Sequence, residues 1–232
     1  MKVIFPVAGH GKRFYPESVT LPKCLLPVSC KLMLEYALES IHCAQEDVIV
    51  IYHAQQSPVL RYALRGLLPE ATFVEQRTPL EGAAHTVYCA LDYFCNTSHV
   101  AVVDCDISAV SAFASPGWND NRIDGSVLTF QSNCPSKSYV KLENGFVRAA
   151  VEKQVVSHHA VGGIYHFSDG EGLARTLEQC LAAGEKTKGE FYMSQILNAY
   201  AQTHDKVIVR PASKFIDLGT PEGLVAFERE GI

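Results

Sequence analysis

No stretch of this chain approaches the roughly 18 apolar residues that a membrane-spanning helix needs. Met1-Lys2-Val3-Ile4-Phe5-Pro6 also lacks the apolar block of a secretory signal. The expectation is a cytoplasmic protein. Positive charge is not in excess: 20 Lys and Arg stand against 25 Asp and Glu, a net charge of −5. Coating nucleic acid or binding anionic lipid requires a cationic surplus on some face, so neither nucleic acid nor membrane is an expected partner. Eight cysteines, at 24, 30, 43, 89, 95, 105, 134 and 180, form no C-x-x-C pair and no cluster with His at zinc spacing. They read as reduced core cysteines. Linkers, repeats and low-complexity segments are lacking too. With 47% hydrophobic and 19% charged residues, the 232-residue chain reads as one folded domain.

Val3 to Ala8 is an apolar run ending in Gly9-His10-Gly11, a buried strand entering a loop. Leu34, Ala37, Leu38 and Ile41 recur at helical spacing, and 47–52 is a β-branched strand. A helix around 60–67, a strand over 71–75, a helix over 83–94 and a strand over 99–104 follow. Such alternation predicts a parallel sheet covered on both faces, with ligands beyond the carboxyl ends of the strands. The Gly9 loop and Asp104-Cys105-Asp106 both fall at such ends.

The second half differs. Short strands at 126–130, 138–142 and 146–150 precede one at 160–167, and Glu143-Asn144-Gly145 carries an Asn-Gly hairpin signal. Gly162-Gly163 suggests close backbone approach. Helices near 170–183 and 191–202, a last full strand at 206–210 and a helix opened by Thr220-Pro221 complete the chain. The expected fold is α/β: a single-domain, Rossmann-like three-layer sandwich with a mostly parallel mixed sheet.

Two loops could carry chemistry. Gly9-His10-Gly11-Lys12-Arg13-Phe14 has glycines that let backbone N–H groups approach phosphate oxygens. It is neither a dinucleotide fingerprint, since Phe14 replaces the third glycine, nor a Walker loop. Between residues 9 and 31, Lys12, Arg13, Lys23 and Lys31 face one acid, Glu17, a local reversal of sign suited to polyphosphate. A solvated basic loop is the alternative. Asp104 and Asp106 end a buried strand, where carboxylates are expensive unless paired or metal-bound. Mg²⁺ held by one or two carboxylates and substrate phosphates suits the place, and a turn or cap role is the alternative. Taken alone, Asp217 reads as a cap and Glu152-Lys153 as surface charge.

The order of these features resembles the nucleotidyltransferases that activate sugar phosphates and related phosphates. That family shows G-x-G-x-R-F/L, then P-K-P-L, an Asp ending the fourth strand, E-K, and D-x-G-T-P. Here these read Gly9-His-Gly11-Lys-Arg13-Phe14, Pro22-Lys23-Cys24-Leu25, Asp106, Glu152-Lys153 and Asp217-Leu-Gly219-Thr220-Pro221. Glu75-Gln76, Glu81-Gly82-Ala83-Ala84-His85-Thr86 and Gly189-Glu190-Phe191-Tyr192 look like a short subgroup met in capsule and lipopolysaccharide loci. Cys24 stands where the family carries Pro, and Phe215 where many members carry Trp.

The resemblance implies a GT-A-like fold with an NTP-binding half (1–110) and an acceptor-phosphate half (111–232). It implies an Mg²⁺-dependent reaction of NTP with a phosphomonoester, releasing pyrophosphate. Arg13, Lys23 and Lys153 would be catalytic. Ala8, Gly9, Gly11, Lys12, Gln76, Gly82 and Ala83 would bind nucleotide. Glu152, Gly162 and Glu190 would meet the acceptor, and Asp106 and Asp217 would hold Mg²⁺. The resemblance leaves room for a homodimer. Two other readings compete: a GT-A glycosyltransferase using Asp104-Cys105-Asp106 as D-x-D, and a non-catalytic nucleotide-binding module.

Overall fold

A computed structural model describes residues 1–9, 11, 13–14, 21–56 and 58–230. The first part runs β1 (Lys2–Pro6), a small hairpin of β2 (Pro27–Val28) and β3 (Lys31–Leu32), α1 (Met33–Glu39), β4 (Val48–His53), α2 (Pro58–Leu67), β5 (Thr72–Gln76), α3 (Ala83–Tyr88), α4 (Leu91–Phe94) and β6 (Val100–Val103). It continues with β7 (Ile107–Val110), β8 (Gly125–Gln131), β9 (Tyr139–Glu143), β10 (Phe146–Val151) and β11 (His159–Phe167). α5 (Gly170–Ala183), α6 (Met193–Tyr200), β12 (Val207–Pro211), β13 (Lys214–Asp217) and α7 (Pro221–Glu230) follow.

The main sheet has the order β10-β9-β11-β6-β1-β4-β5, with β8 on β11 and β12 on β8. β6, β1, β4 and β5 are mutually parallel, and β11 runs antiparallel to β6, so one mixed sheet passes through both halves. Alternate strand residues serve opposite faces. Ile4, Ile49, Ile51, Val100 and Val102 pack with α3 to α6 on one side. Val3, Phe5, Val48, Val50, Ala101 and Val103 pack with α1, α2 and Trp118 on the other. Burial on both faces is why these strands read as unbroken apolar runs. Each buried Val or Ile contributes about 1.5–3 kcal/mol of transfer free energy.

The hairpin closes as expected: Asn144 and Gly145 have φ of 53° and 84°, and Glu143 pairs with Phe146. Two expectations need correction, and one strand pair was not expected at all. The helix expected over 83–94 is two helices, broken at Ala90 (φ −109°, ψ 17°), and the turn still leaves Val87 and Phe94 fully buried. β7 and β13 were not legible as strands. Each has four residues and no sustained period, yet together they form a separate antiparallel pair. All eight cysteines are free, but only Cys24 is buried, while Cys30 and Cys134 are exposed.

At the amino ends of β6 and β8 a polar chain crosses the sheet, buried at His99, Ser126 and His166. Arg210 Nε donates to Ser126 Oγ (3.1 Å), and Ser126 Oγ lies 3.1 Å from His166 Nδ1. His166 Nε2 is 3.1 Å from His99 Nδ1, and His99 Nε2 is 2.7 Å from Asn121 Oδ1. One assignment satisfies every link: both rings neutral, each with its proton on Nε2.

Candidate active site

At the carboxyl ends of the parallel strands lies a cavity of about 1260 Å³. Strand order builds it: β6 and β1 are neighbours, so Asp104-Cys105-Asp106 and the Gly9 loop emerge side by side. Gly9, Gly11 and Arg13 line the cavity, with Arg13 exposed. Gly11 has φ +63°, and a Cβ there would sit 2.9 Å from Lys23 Cβ, so the loop closes on the lysine only without a side chain. Ala8 is buried and outside the lining. His10 and Lys12 lie outside the described residues.

Lys23 opens a short 3₁₀ turn (Lys23–Leu25) whose Cys24 and Leu25 side chains are buried, which anchors the turn and leaves Lys23 facing the cavity. Its ammonium donates to Asp106 Oδ2. Burial alone would lower the Lys23 pKa, but Asp106 outweighs it and the net direction is up, so the cation persists. Burial pushes the Cys24 thiol up to about 12, leaving it neutral.

The β7–β13 pair does what neither sequence motif reveals. Its register sets Asp217 against Ile107, and Leu218 N donates to the Asp106 carbonyl at 2.8 Å. Two acids 111 positions apart in the chain thereby converge. A Cβ on Gly219 would lie 2.1 Å from Asp106 Oδ2 and 2.8 Å from Asp217 Oδ1. Gly219 N donates to Asp217 Oδ1 (2.8 Å). Thr220 caps α7 by accepting from Gly223 N at 3.1 Å. Asp104 lines the same cavity, and its Oδ2 lies 2.7 Å from the Cβ position of Gly163. Burial, then Asp106, raises its pKa to about 8.

Among the described residues no group of three or more His, Cys, Asp and Glu is arranged to hold a metal. Two converging carboxylates with open cavity beside them suit Mg²⁺, which keeps waters and takes further oxygens from substrate phosphates. That donor set does not suit Zn²⁺, which prefers nitrogen and sulfur ligands.

The opposite wall comes from the second half. Glu152 is nearly buried. Its Oε2 accepts from Ser138 Oγ and from Ser194 Oγ (2.7 Å), and its Oε1 lies 3.6 Å from Lys153 Nζ. Lys153, with φ +54°, donates to the Tyr192 hydroxyl. Gly162 lies on the strand that bulges between Val161 and Tyr165, against Phe215, which stacks on Phe130 at 4.0 Å between centroids. Glu190 also lines the cavity.

Gly82 joins the two walls. Its φ of +106° belongs to glycine, and a Cβ would lie 2.4 Å from Phe191 O. Phe191 N donates to Glu81 O (2.7 Å), and Ala84 N donates to Phe191 O (3.1 Å). Gly82 and Ala83 line the cavity, but Gln76 does not. The Gln76 amide is buried, accepting from Thr86 Oγ1 (2.8 Å) and donating to Pro79 O (3.2 Å). Residues that sequence reasoning did not single out include Lys137, whose ammonium donates to Asp217 Oδ2, and the two serines on Glu152. Their signals, one lysine in a polar loop and isolated serines, are too common to mark a site.

Residues 3–114 match the family model described as the MobA-like NTP transferase domain. Among curated proteins the chain is 26% identical over 130 residues to UTP–glucose-1-phosphate uridylyltransferase of Bacillus subtilis (strain 168), covering 46% of this chain and 44% of that one. It is 27% identical over 93 residues to CTP:phosphoglutamine cytidylyltransferase of Campylobacter jejuni, covering 40% and 37%. The alignments thus span less than half the length of these relatives. The fold is shared with the nucleoside-diphosphate-sugar pyrophosphorylase from Vibrio cholerae RC9, with a TM-score of 0.79, 21% identity and coverage of 98% and 99%. No helix among the described residues is long and apolar enough to cross a membrane. Residues 3–114 are thus similar to the MobA-like NTP transferase domain, and the fold as a whole is that of the Vibrio cholerae pyrophosphorylase.

Proposed function

We propose that this chain is an Mg²⁺-dependent nucleotidyltransferase that joins the NMP part of an NTP to a sugar phosphate or related phosphomonoester and releases pyrophosphate. One observation carries the reading: Lys23, Asp106 and Asp217 meet in a cavity whose other rim holds Lys153. The attacking group is a phosphate oxygen, already anionic, so the reaction needs no general base. The work is to bring polyanions together and to stabilise charge developing at the α-phosphate. In this reading residues 1–110 bind the nucleotide and 111–232 the acceptor.

Arg13 holds the departing β- and γ-phosphates, with Gly9 and Gly11 offering backbone N–H groups. Lys23 neutralises the α-phosphate as the bond to pyrophosphate breaks. Lys153, steadied by Glu152, receives the acceptor's phosphate, and Glu190 meets acceptor hydroxyls. Asp106 and Asp217 would hold Mg²⁺, which, when bound, polarises the reacting phosphate oxygens. Gly82 and Ala83 form the edge that meets the base. Gln76 supports that edge from behind through Thr86 and does not read the base directly. A cytoplasmic enzyme supplying sugar nucleotides for surface polysaccharide fits this chemistry.

The D-x-D glycosyltransferase reading is less well supported, because that transfer releases no pyrophosphate and leaves the cavity-lining Gly9 loop with its Arg13 without a role. The test is a pyrophosphate-release screen of four NTPs against a panel of phosphomonoesters with Mg²⁺. Release of NDP from a sugar nucleotide, without pyrophosphate release, would select the glycosyltransferase.

A further inference from the structure

Lys137 has no part in the mechanism above, yet its ammonium donates to Asp217 Oδ2, as that of Lys23 does to Asp106 Oδ2. The two cations reach the acid pair from opposite halves of the chain. The turn that presents Lys137 is fastened on both sides. Lys137 N donates to Cys134 O (3.1 Å), the same carbonyl accepts from the Tyr139 hydroxyl (2.8 Å), and Val161 N donates to Ser138 O (2.8 Å). Lys137 and its neighbours Ser136 and Ser138 line the cavity on the side of Lys153.

Two ammonium groups and one divalent cation carry the same charge. A divalent cation taken up between Asp106 and Asp217 therefore releases both lysines without unbalancing the acids, at the moment when phosphate charge enters. Lys23 is then freed beside the nucleotide and Lys137 beside the acceptor. We propose that Lys137 is a second acceptor-phosphate-binding residue, held on Asp217 until a divalent cation displaces it. This rests on the nucleotidyltransferase reading and adds an order to it: metal first, then full affinity for the acceptor's phosphate.

The test uses the full chain and Lys137→Met, which keeps the aliphatic stem and removes the charge. Mn²⁺ binding is read from the electron spin resonance signal of the free ion. Lys137→Met should bind Mn²⁺ about threefold to tenfold more tightly, because the competitor for Asp217 is gone. Inorganic phosphate is then titrated calorimetrically in saturating Mn²⁺ and pyrophosphate, the latter filling the Gly9 loop. It should bind Lys137→Met about tenfold or more weakly than wild type, and Lys137→Arg should restore most of the loss. A lysine that merely decorates the loop would raise Mn²⁺ affinity on removal and leave phosphate affinity alone. That result overturns the proposal, as does unchanged Mn²⁺ affinity. If circular dichroism shows Lys137→Met unfolded, Lys137→Gln takes its place in the same titrations. A wild-type chain that binds neither Mn²⁺ nor any NTP would instead refute the underlying nucleotidyltransferase reading.

Discussion

Replacing Gly82 by Ala adds one methyl group and should damage both walls of the site. At φ +106° an L-residue is strained by about 1–3 kcal/mol. The new Cβ would also lie 2.4 Å from Phe191 O and 2.7 Å from Phe191 N. Both are backbone atoms, so no side-chain rotation relieves the clash, and overpacking of this kind costs a further 1–3 kcal/mol or so. The sum is about 2–6 kcal/mol, a large share of the roughly 5–15 kcal/mol that stabilises a typical domain. The strain falls on the 190–192 segment, which carries Glu190 and the Tyr192 partner of Lys153. Urea unfolding should show the loss as a lowered midpoint. Kinetics on the folded fraction should show kcat/KM falling by about 10² for NTP and acceptor alike, the scale of a misplacement near 1 Å. A variant within about 0.5 kcal/mol of wild type, with both KM values unchanged, would refute the claim that Gly82 clamps the two walls.

Three further outcomes are expected. Lys23→Ala should lower kcat by at least about 10²-fold with unchanged circular dichroism, the scale of losing an electrostatic contact in the transition state; unchanged turnover sinks its assignment. Asp106→Asn and Asp217→Asn should each weaken Mn²⁺ binding, followed by water proton relaxation, and equal affinity in either variant removes that acid from the metal site. His166 should make stability pH-dependent. Burial, then His99, lowers its pKa to about 3, below the ordinary value of 6.5. The unfolded chain therefore binds the extra proton between those values, and stability falls as pH drops through that window, by up to about 1.4 kcal/mol per unit. The difference in unfolding free energy between wild type and His166→Gln should shrink on acidification from pH 7 to pH 5, and a constant difference contradicts the buried neutral ring.

The sequence carried the parallel half of the fold because β1, β4 and β6 are buried on both faces and leave unbroken apolar runs. The Asn144-Gly145 turn was legible because few residue pairs adopt two positive φ values in succession. β7 and β13 were not legible, and they bring Asp106 to Asp217. Four-residue strands have too few turns of a period to stand out, and their pairing is a tertiary fact. Lys137 was missed for a related reason: its partner lies 80 positions away, and nothing local distinguishes it from a solvated lysine. Gln76 shows the opposite limit. Its position was readable, but its burial behind Thr86 was not, since an amide can serve a ligand or its own fold with equal chemistry.

Under the proposed function, the converging acids and facing lysines form a site for pyrophosphate-releasing transfer. The decisive assay is coupled detection of pyrophosphate from the full chain, with Mg²⁺, each of four NTPs and a panel of phosphomonoesters. At least one NTP and acceptor pair should release pyrophosphate in step with an NDP-linked product, with Lys23→Ala reduced by at least about 10²-fold. Tight NTP binding with no pyrophosphate from any pair would contradict the claim and leave a nucleotide-binding module in its place.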